Sequence, residues 1–338
     1  MRYKPSDILE NLVDQDVLTV LLLDRTTGTN IIWATDDYSE LGEGYAFALP
    51  ILIEQITNEN GNVIKPRVEK DREAQAQRSK EMAEVFTPSW VCNIQNNLVD
   101  KAFIGAKFNT EKHSLEKGHY WEYEGKSKEP VFPRPNGITW IDYVKTLRME
   151  ISCGEAPYLT SRYDTVSGDY IKPSHRIGLL DRKLRVICRY AQNGEEWIEQ
   201  AKEALKSIYG FEWQGDNVLL ARENLLYSVL EFYDYWKRQK AKTGFVIETE
   251  MTKDVILECA EIISWNIWQM DGIKYVIPGT CHDVSNLQMD LFGETSAPSK
   301  CPGCKSGKKH EHNGIYSFVM DWEKGIPVKY LDISKGVS

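Results

Sequence analysis

No stretch of this chain is long and apolar enough to suggest a membrane span, and no internal repeat is visible. No apolar leader core follows Met1–Ser6; an amphipathic stretch comes instead, so a secretory signal peptide is not expected. Excess positive charge is missing too. There are 41 Lys and Arg against 50 Asp and Glu, a formal net charge of −9. That excludes a uniformly basic nucleic-acid coat and leaves any DNA contact to a local patch. The seven cysteines are scattered and odd in number. The expectation is reduced thiols in a cytoplasmic protein rather than a disulfide framework. What remains is 338 residues, 42% hydrophobic, enough for one large domain or two smaller ones around a buried core.

The chain is organised around the stretch from Met149 to Leu159. An apolar approach, Ile141 to Met149, ends on Glu150. A turn of small residues follows, Ser152-Cys153-Gly154-Glu155-Ala156-Pro157, then Tyr158 and Leu159, where a helix is expected to begin. In open α/β sheets, ligands bind beyond the carboxyl ends of the strands, and a glycine there lets the backbone approach them closely. An ordinary strand-to-helix corner has the same outline.

Before this stretch, Ser6 is expected to cap a short helix through Leu12, and Val17–Leu23 and Asn30–Thr35 read as two strands of a hairpin. Tyr45–Ile56 fits strand or helix. Val68–Ala83 is charged and reads as an exposed helix or linker. Within Ala83–Val91, Thr87-Pro88 opens a helix whose apolar face is Val91, Ile94, Leu98 and Val99. Its first N–H groups and the Thr87 hydroxyl could meet a carboxylate. Asp100–Gly137 reads as an insertion or long loop, with His113 and His119 on the surface.

After it, Ile177, Leu180, Leu184 and Ile187 recur at helical spacing, and Arg176, Arg182, Lys183, Arg185 and Arg189 stud that helix. A solvated basic face and a DNA-facing surface are the two readings. A helix through Trp197 and Ile208 leads into a strand ending at Glu212, and Asp216 or Asn217 is placed to cap the next helix. Thr252 caps another, leading through Asn266–Met270 to Asp271. Three acids, Glu150, Glu212 and Asp271, thus follow three apolar segments and suggest one crevice. A carboxylate at the second strand can accept from both hydroxyls of a ribose, and one at the third from an adenine amine. Near the end come Cys281-His282, Cys301-Pro302-Gly303-Cys304 and His310-Glu311-His312. Cys301, Cys304, His310 and His312 have the ligand types of a zinc knuckle; the alternative is a polar loop with free thiols. Ile315–Met320 and Ile326–Leu331 read as a hairpin.

These motifs together resemble the restriction–modification DNA adenine N6-methyltransferases, in particular the chains described as restriction endonuclease subunit M. Ala83–Val91 resembles their F-T-P motif. Glu150–Leu159 is similar to their D-P-A-C-G-x-G-x-F-L loop, with Glu150 in the Asp position, Cys153, Gly154 and Leu159 matching, Ala156 in place of the second Gly and Tyr158 in place of Phe. Gly210-Phe211-Glu212 with Ala221-Arg222 and Asn224-Leu225 resembles G-x-E…A-R-x-N-L, and Asn266-Ile267…Asp271 the motif after it. The resemblance runs over about Glu81–Ile277 in the family's order. It implies a Rossmann-like S-adenosylmethionine (SAM) domain of α/β class, with Phe86, Thr87, Pro88, Glu150, Cys153, Gly154, Ala156, Tyr158, Glu212, Trp213, Asp271 and Gly272 around the cofactor, and DNA as substrate.

The family's catalytic signature, Asn or Asp followed by Pro-Pro and an aromatic, occurs nowhere in this chain. No catalytic residue is therefore assigned, and some other residue or a partner subunit of the restriction–modification system is expected to supply the amine acceptor; a non-catalytic SAM-fold assembly or regulatory module with a structural zinc site is the alternative. The expected boundaries are 1–80 for an N-terminal mixed region, 81–277 for the SAM domain and 278–338 for a Cys/His-bearing extension.

Overall fold

The computed structural model describes residues 15–70, 87–123, 125, 129–283 and 300–335. The fold is mixed α/β. Its centre is a three-stranded parallel sheet of β3 (Arg148–Ile151), β4 (Ile208–Glu212) and β5 (Ile267–Gln269), in that spatial order. β1 (Thr110–Ser114) and β2 (Gly118–Glu122) form a separate hairpin, as do β6 (Phe318–Asp321) and β7 (Ile326–Lys329). The helices are α1 (Gln15–Leu22), α2 (Ser89–Ile104), α3 (Trp140–Lys145), α4 (Leu179–Tyr190), α5 (Gly194–Lys206), α6 (Gly215–Ala241), α7 (Lys253–Asn266), α8 (Pro302–Ser306) and α9 (Tyr330–Lys335). No helix among the described residues is long and apolar enough to cross a membrane.

One face of the sheet lies on a helical layer. Trp197 of α5 meets Tyr233 of α6 edge-on at 4.9 Å, with Trp236 stacked alongside at 6.1 Å. Such contacts add about 0.5–1.5 kcal/mol each beyond the area they bury. The opposite face carries Tyr209, Phe211, Trp268 and Met270, covered by Val319, Val328 and Tyr330 from the C-terminal hairpin and α9. Side-chain alternation along each strand separates these two cores.

The N-terminal region is built into the main core. The Val17–Leu23 run is helical over α1, not a strand, because a short apolar run satisfies either period and here four of its residues pack against helices. Asn30–Thr35 makes only isolated bridges, Leu23 to Asn30 and Ile32 to Pro50. Gln269 clamps it to the sheet: its Oε1 accepts from Ile32 N at 2.9 Å and its Nε2 donates to Ile32 O at 2.8 Å. Tyr45–Ile56 is short 3-10 turns and loop. Fully buried Arg222 donates to Leu23 O (3.0 Å), Ser264 O (3.1 Å) and Ile267 O (2.8 Å), and so satisfies carbonyls that the ends of α1 and α7 leave open. The expected Ser6–Leu12 helix and most of the 68–83 segment lie outside the described residues.

Two helices invert the sequence reading. On α2 the buried face is polar: Asn93, Asn96, Asn97 and Asp100 face inward, whereas Leu98 and Val99 are exposed. Asn96 donates to Tyr158 O at 2.9 Å and Ile177 O at 3.0 Å, tying two loops together. On α4, neither basic-face reading holds. Arg182 and Lys183, with Arg185 and the preceding Arg176, are all buried. Arg182 pairs with Asp100, Arg176 with Glu231, and Arg185 with Glu129 at 3.5 Å. The Lys183 ammonium is held by Thr146 O and Ser207 Oγ, and burial drives its pKa well below the ordinary lysine value. The carboxylates that pay for this charge sit on distant segments, so spacing alone reads as solvation.

Candidate functional site

β3 is short because Trp140–Lys145 is taken by α3, capped by Thr139, whose hydroxyl accepts from Asp142 N at 3.2 Å. Thus Glu150 lies near the tip of β3 and Glu212 at the tip of β4. The register pairs Glu150 with Gly210, so the Glu212 position stands two residues further along the sheet. The turn between them bends back over both strand ends. Gly154 N donates to Glu212 Oε2 at 2.9 Å, and Tyr158 N donates to Glu150 Oε1 at 3.4 Å. Cys153 N donates to Phe211 O at 2.9 Å. Three alternate residues of the turn have left-handed backbone, Ser152 (φ 51°), Gly154 (φ 52°) and Ala156 (φ 65°). That conformation costs an L-residue about 1–2 kcal/mol. The strain at Ala156 also shows why a glycine suits this position.

Both acids are pushed toward their neutral forms. Burial raises Glu150 well above the ordinary glutamate value, against the N–H groups of Tyr158 and Leu159, and the charge of Glu212 adds to it. Burial likewise raises Glu212 despite the N–H groups of Gly154, Trp213 and Gln214. Glu150 Oε2 is buried and has no hydrogen-bond partner among the described residues. A buried carboxylate oxygen in that state favours a donor or cation.

Thr87 and Pro88 join this site. The Thr87 hydroxyl faces that of Tyr158, and its carbonyl accepts from Thr165 Oγ1 at 2.9 Å. Pro88 is the cap of α2, and the carboxylate that meets the helix start is the chain's own Asp164, accepting from Ser89 N at 3.3 Å. Phe86 lies outside the described residues. No helix begins at Tyr158. The helix arrives after an excursion over residues 160–178, and Leu179 N and Leu180 N then bond to Tyr158 O (2.8 Å) and Leu159 O (2.9 Å). Trp213 points elsewhere, its Nε1 donating to Ala34 O at 2.9 Å.

Asp271 follows β5 by two residues. Its carboxylate closes its own turn, with Oδ1 accepting from Ile273 N (2.9 Å) and Lys274 N (3.0 Å) and Oδ2 lying 3.1 Å from Lys274 Nζ. Gly272 packs so tightly on Phe211 that a Cβ would come within 2.5 Å of the ring. Two residues not placed in the site from sequence brace the loop: Glu155 accepts from Arg67 N at 2.6 Å, and Asn224 donates to Glu155 O at 3.0 Å. Asn224 carried a signal in the A-R-x-N-L pattern; Glu155 carried none.

A second site lies beyond β5. Cys281, Cys301, Cys304 and His312 bring their ligand atoms within 4.8 Å of one another. The three sulfurs stand 3.6, 3.7 and 3.7 Å from His312 Nδ1. Tetrahedral zinc, with bonds of about 2.3 Å to sulfur and about 2.0–2.1 Å to nitrogen, sets sulfur and nitrogen about 3.6 Å apart. The group could therefore hold a metal such as zinc. Gly303 is required there, since a Cβ would lie 2.6 Å from the His312 ring. Asn313 N donates to Cys301 Sγ at 3.3 Å, a contact that supports a thiolate. Burial and the two neighbouring cysteines push the Cys281 thiol up to about 12. At Cys301 burial is outweighed by the N–H groups of Asn313 and Cys304 and by His312, which hold it at about 6.

The ligand set corrects the sequence reading at one position. His310 is not a member: it sits exposed on a 3-10 turn, its Nε2 3.9 Å from Glu311 Oε1. Cys281 takes its place. The 3-10 turn Lys309–Glu311 leaves His310 exposed while His312, just after it, is buried in the cluster, and Cys281 joins from 20 residues before Cys301. The other pair of histidines also meets: His113 and His119 are register partners across the β1–β2 hairpin, and Trp90 stacks on His119 at 4.2 Å.

No family model matches the chain, and neither does any curated protein or solved structure.

Proposed function

We propose that the chain is a SAM-binding, DNA adenine N6-methyltransferase-like component of a restriction–modification system, completed by a partner chain. The observation that carries this is the meeting of Glu150, Glu212, Gly154, Tyr158 and Thr87 at the carboxyl edge of a parallel sheet. In the proposed Rossmann-like arrangement, each oxygen of Glu212 already accepts one N–H, Gly154 N on Oε2 at 2.9 Å and Gln214 N on Oε1 at 3.3 Å, and the ribose hydroxyls would take the lone pairs that remain. The bare Glu150 oxygen suits a cationic donor such as the amino group of the methionine end. Asp271 stands at the third strand for the adenine amine, in competition with Lys274. SAM, when bound, supplies an electrophilic methyl group; the chain's residues bind and orient it.

The missing tetrapeptide would come from elsewhere. Among the described residues no strand pairs with the outer edge of β3, and alternate residues there, Leu147, Met149 and Ile151, are exposed. Doubly wound sheets place their crevice where the strand order reverses, next to the first strand. A strand from the partner would lie there and bring the amine acceptor and base-stacking aromatic beside the cofactor. The net charge of −9 also favours leaving DNA contacts to that partner.

The test is tritiated methyl transfer to DNA by the chain alone and with the product of the adjacent gene. Transfer is expected only with both, and Glu212→Ala is expected to lower it at least tenfold. Transfer undiminished in Glu212→Ala and Asp271→Ala would refute the site. The second reading, a non-catalytic SAM-fold module with a structural metal, is favoured by the absent tetrapeptide. It predicts SAM binding with no transfer in either mixture.

A further inference from the structure

We infer that the Cys281/Cys301/Cys304/His312 cluster, loaded with zinc, is a clamp that positions the Asp271–Gly272 turn, so that metal occupancy controls the adenine end of the proposed cofactor site. The inference rests on the SAM reading for its consequence, but not for the clamp itself.

The physical path is short. Residues 275–282 run beside residues 312–317 as an irregular ladder. Ser317 N donates to Tyr275 O at 3.1 Å, Ile277 N to Ile315 O at 2.8 Å, Ile315 N to Thr280 Oγ1 at 3.0 Å, and Asn313 Nδ2 to His282 O at 2.7 Å. Val276 and Tyr316 form the antiparallel bridge between them. At one end the ladder is closed by the cluster, which takes Cys281 from the first segment and His312 from the second. At the other end is the Asp271 turn, with Asp271 N donating to Val276 O at 2.8 Å and Tyr275 N to Asp271 O at 2.7 Å.

The turn needs such support. Tyr275 holds a left-handed backbone at φ 65°, unfavourable for an aromatic residue. Its ring is pinned from the cluster side: Lys309 Nζ lies 4.2 Å above it and donates to its hydroxyl at 2.6 Å. Lys309 is fixed in turn, because Tyr316 Oη donates to Lys309 O at 2.7 Å and accepts from His312 N at 3.0 Å. Ligand His312 therefore touches the residue that orders the pin. Without a cation the three thiols share one small site, and among the described residues no disulfide or ion pair joins the two segments at that end. Metal binding of this kind contributes directly to the folding of the segment that carries the ligands.

The experiment uses the full chain, purified with zinc and then compared after chelation, with metal content measured on both. Hydrogen exchange is read at two places, the segment 270–281 and the β4 strand. About one zinc per chain is expected at the start. Removal is expected to speed exchange at 270–281 about tenfold or more, the equivalent of about 1.4 kcal/mol, with β4 unchanged. Cys281→Ser and Lys309→Ala are expected to reproduce part of the effect, Lys309→Ala with zinc still bound. A chain that carries and takes up no zinc overturns the clamp. So does exchange at 270–281 that ignores zinc removal, or that rises equally in β4. SAM titration of the zinc-loaded and stripped chains then reads the consequence, an expected tenfold weakening. If the loaded chain binds no SAM, the cofactor reading fails while the exchange result still judges the clamp.

Discussion

Arg182 on α4 offers a sharp test of what the chain's basic residues are for. Replacing it with Met keeps most of the stem's volume and deletes the guanidinium. Asp100, itself fully buried, then keeps the Tyr143 hydroxyl at 3.0 Å but loses its charged partner. Ile177 O and Asn93 Oδ1 lose donors at 3.0 Å each. Breaking a buried pair by removing one partner costs about 3–5 kcal/mol, a large share of the roughly 5–15 kcal/mol that holds a domain folded. With a urea m-value of about 2–3 kcal/mol/M, the midpoint is expected to fall by about 1–2 M. The double variant Arg182→Met/Asp100→Asn is expected to recover part of the loss, because the orphaned charge is gone. Arg189→Ala, at a partly exposed position of the same helix, is expected to cost less than about 1 kcal/mol. If Arg182→Met left the midpoint unmoved while weakening DNA binding by the chain–partner mixture, α4 would face DNA and the packing account would be wrong.

Three further outcomes follow from single residues. Glu223 is buried on α6 and burial raises its pKa to about 8, with Arg162 opposing. The folded chain therefore holds a proton that the unfolded chain releases above the ordinary value of 4.5, so stability is expected to fall as pH rises from about 4.5 to about 8 and then level. Glu223→Gln should flatten that slope; an unchanged profile in urea unfolding would contradict it. Gly303→Ala is expected to lower zinc affinity at least tenfold, because its Cβ would sit 2.6 Å from the His312 ring; metal competition with a chromogenic chelator measures it, and full affinity would refute the geometry. Ala156→Gly is expected to stabilise the fold by up to about 1 kcal/mol, since the native φ is 65°. A destabilised variant would mean the left-handed turn is wrong.

The strand tips were legible because Glu150 and Glu212 each follow strand-forming residues and precede a turn, although most of the apolar approach to Glu150 is helix α3. Glu150 and Glu212 could be named for that reason, and the Cys301/Cys304 pair for its Cys-x-x-Cys spacing. The helix at Ser89–Ile104 was legible in extent and illegible in orientation. Apolar periodicity assumes an apolar core, but here the asparagines of α2 meet loop carbonyls that need donors. Arg176, Arg182 and Arg185 misled in the same way, because Asp100, Glu129 and Glu231 lie tens of residues away. Cys281 escaped because a ligand set assembled across 20 residues has no fixed spacing. The Val17–Leu23 run reads as a strand because six apolar residues in a run of seven fit both periods.

The central claim is that carboxylates at the tips of β3 and β4, with the bend at Thr87, form a cofactor pocket. Calorimetric titration of the full zinc-loaded chain with SAM tests it most directly. The account predicts saturable one-to-one heat, a thermal stabilisation equivalent to about 2.7 kcal/mol at a hundredfold excess over Kd, and at least a tenfold loss of affinity in Glu212→Ala. No heat and no stabilisation, or a Glu212→Ala isotherm identical to the parent, would contradict it.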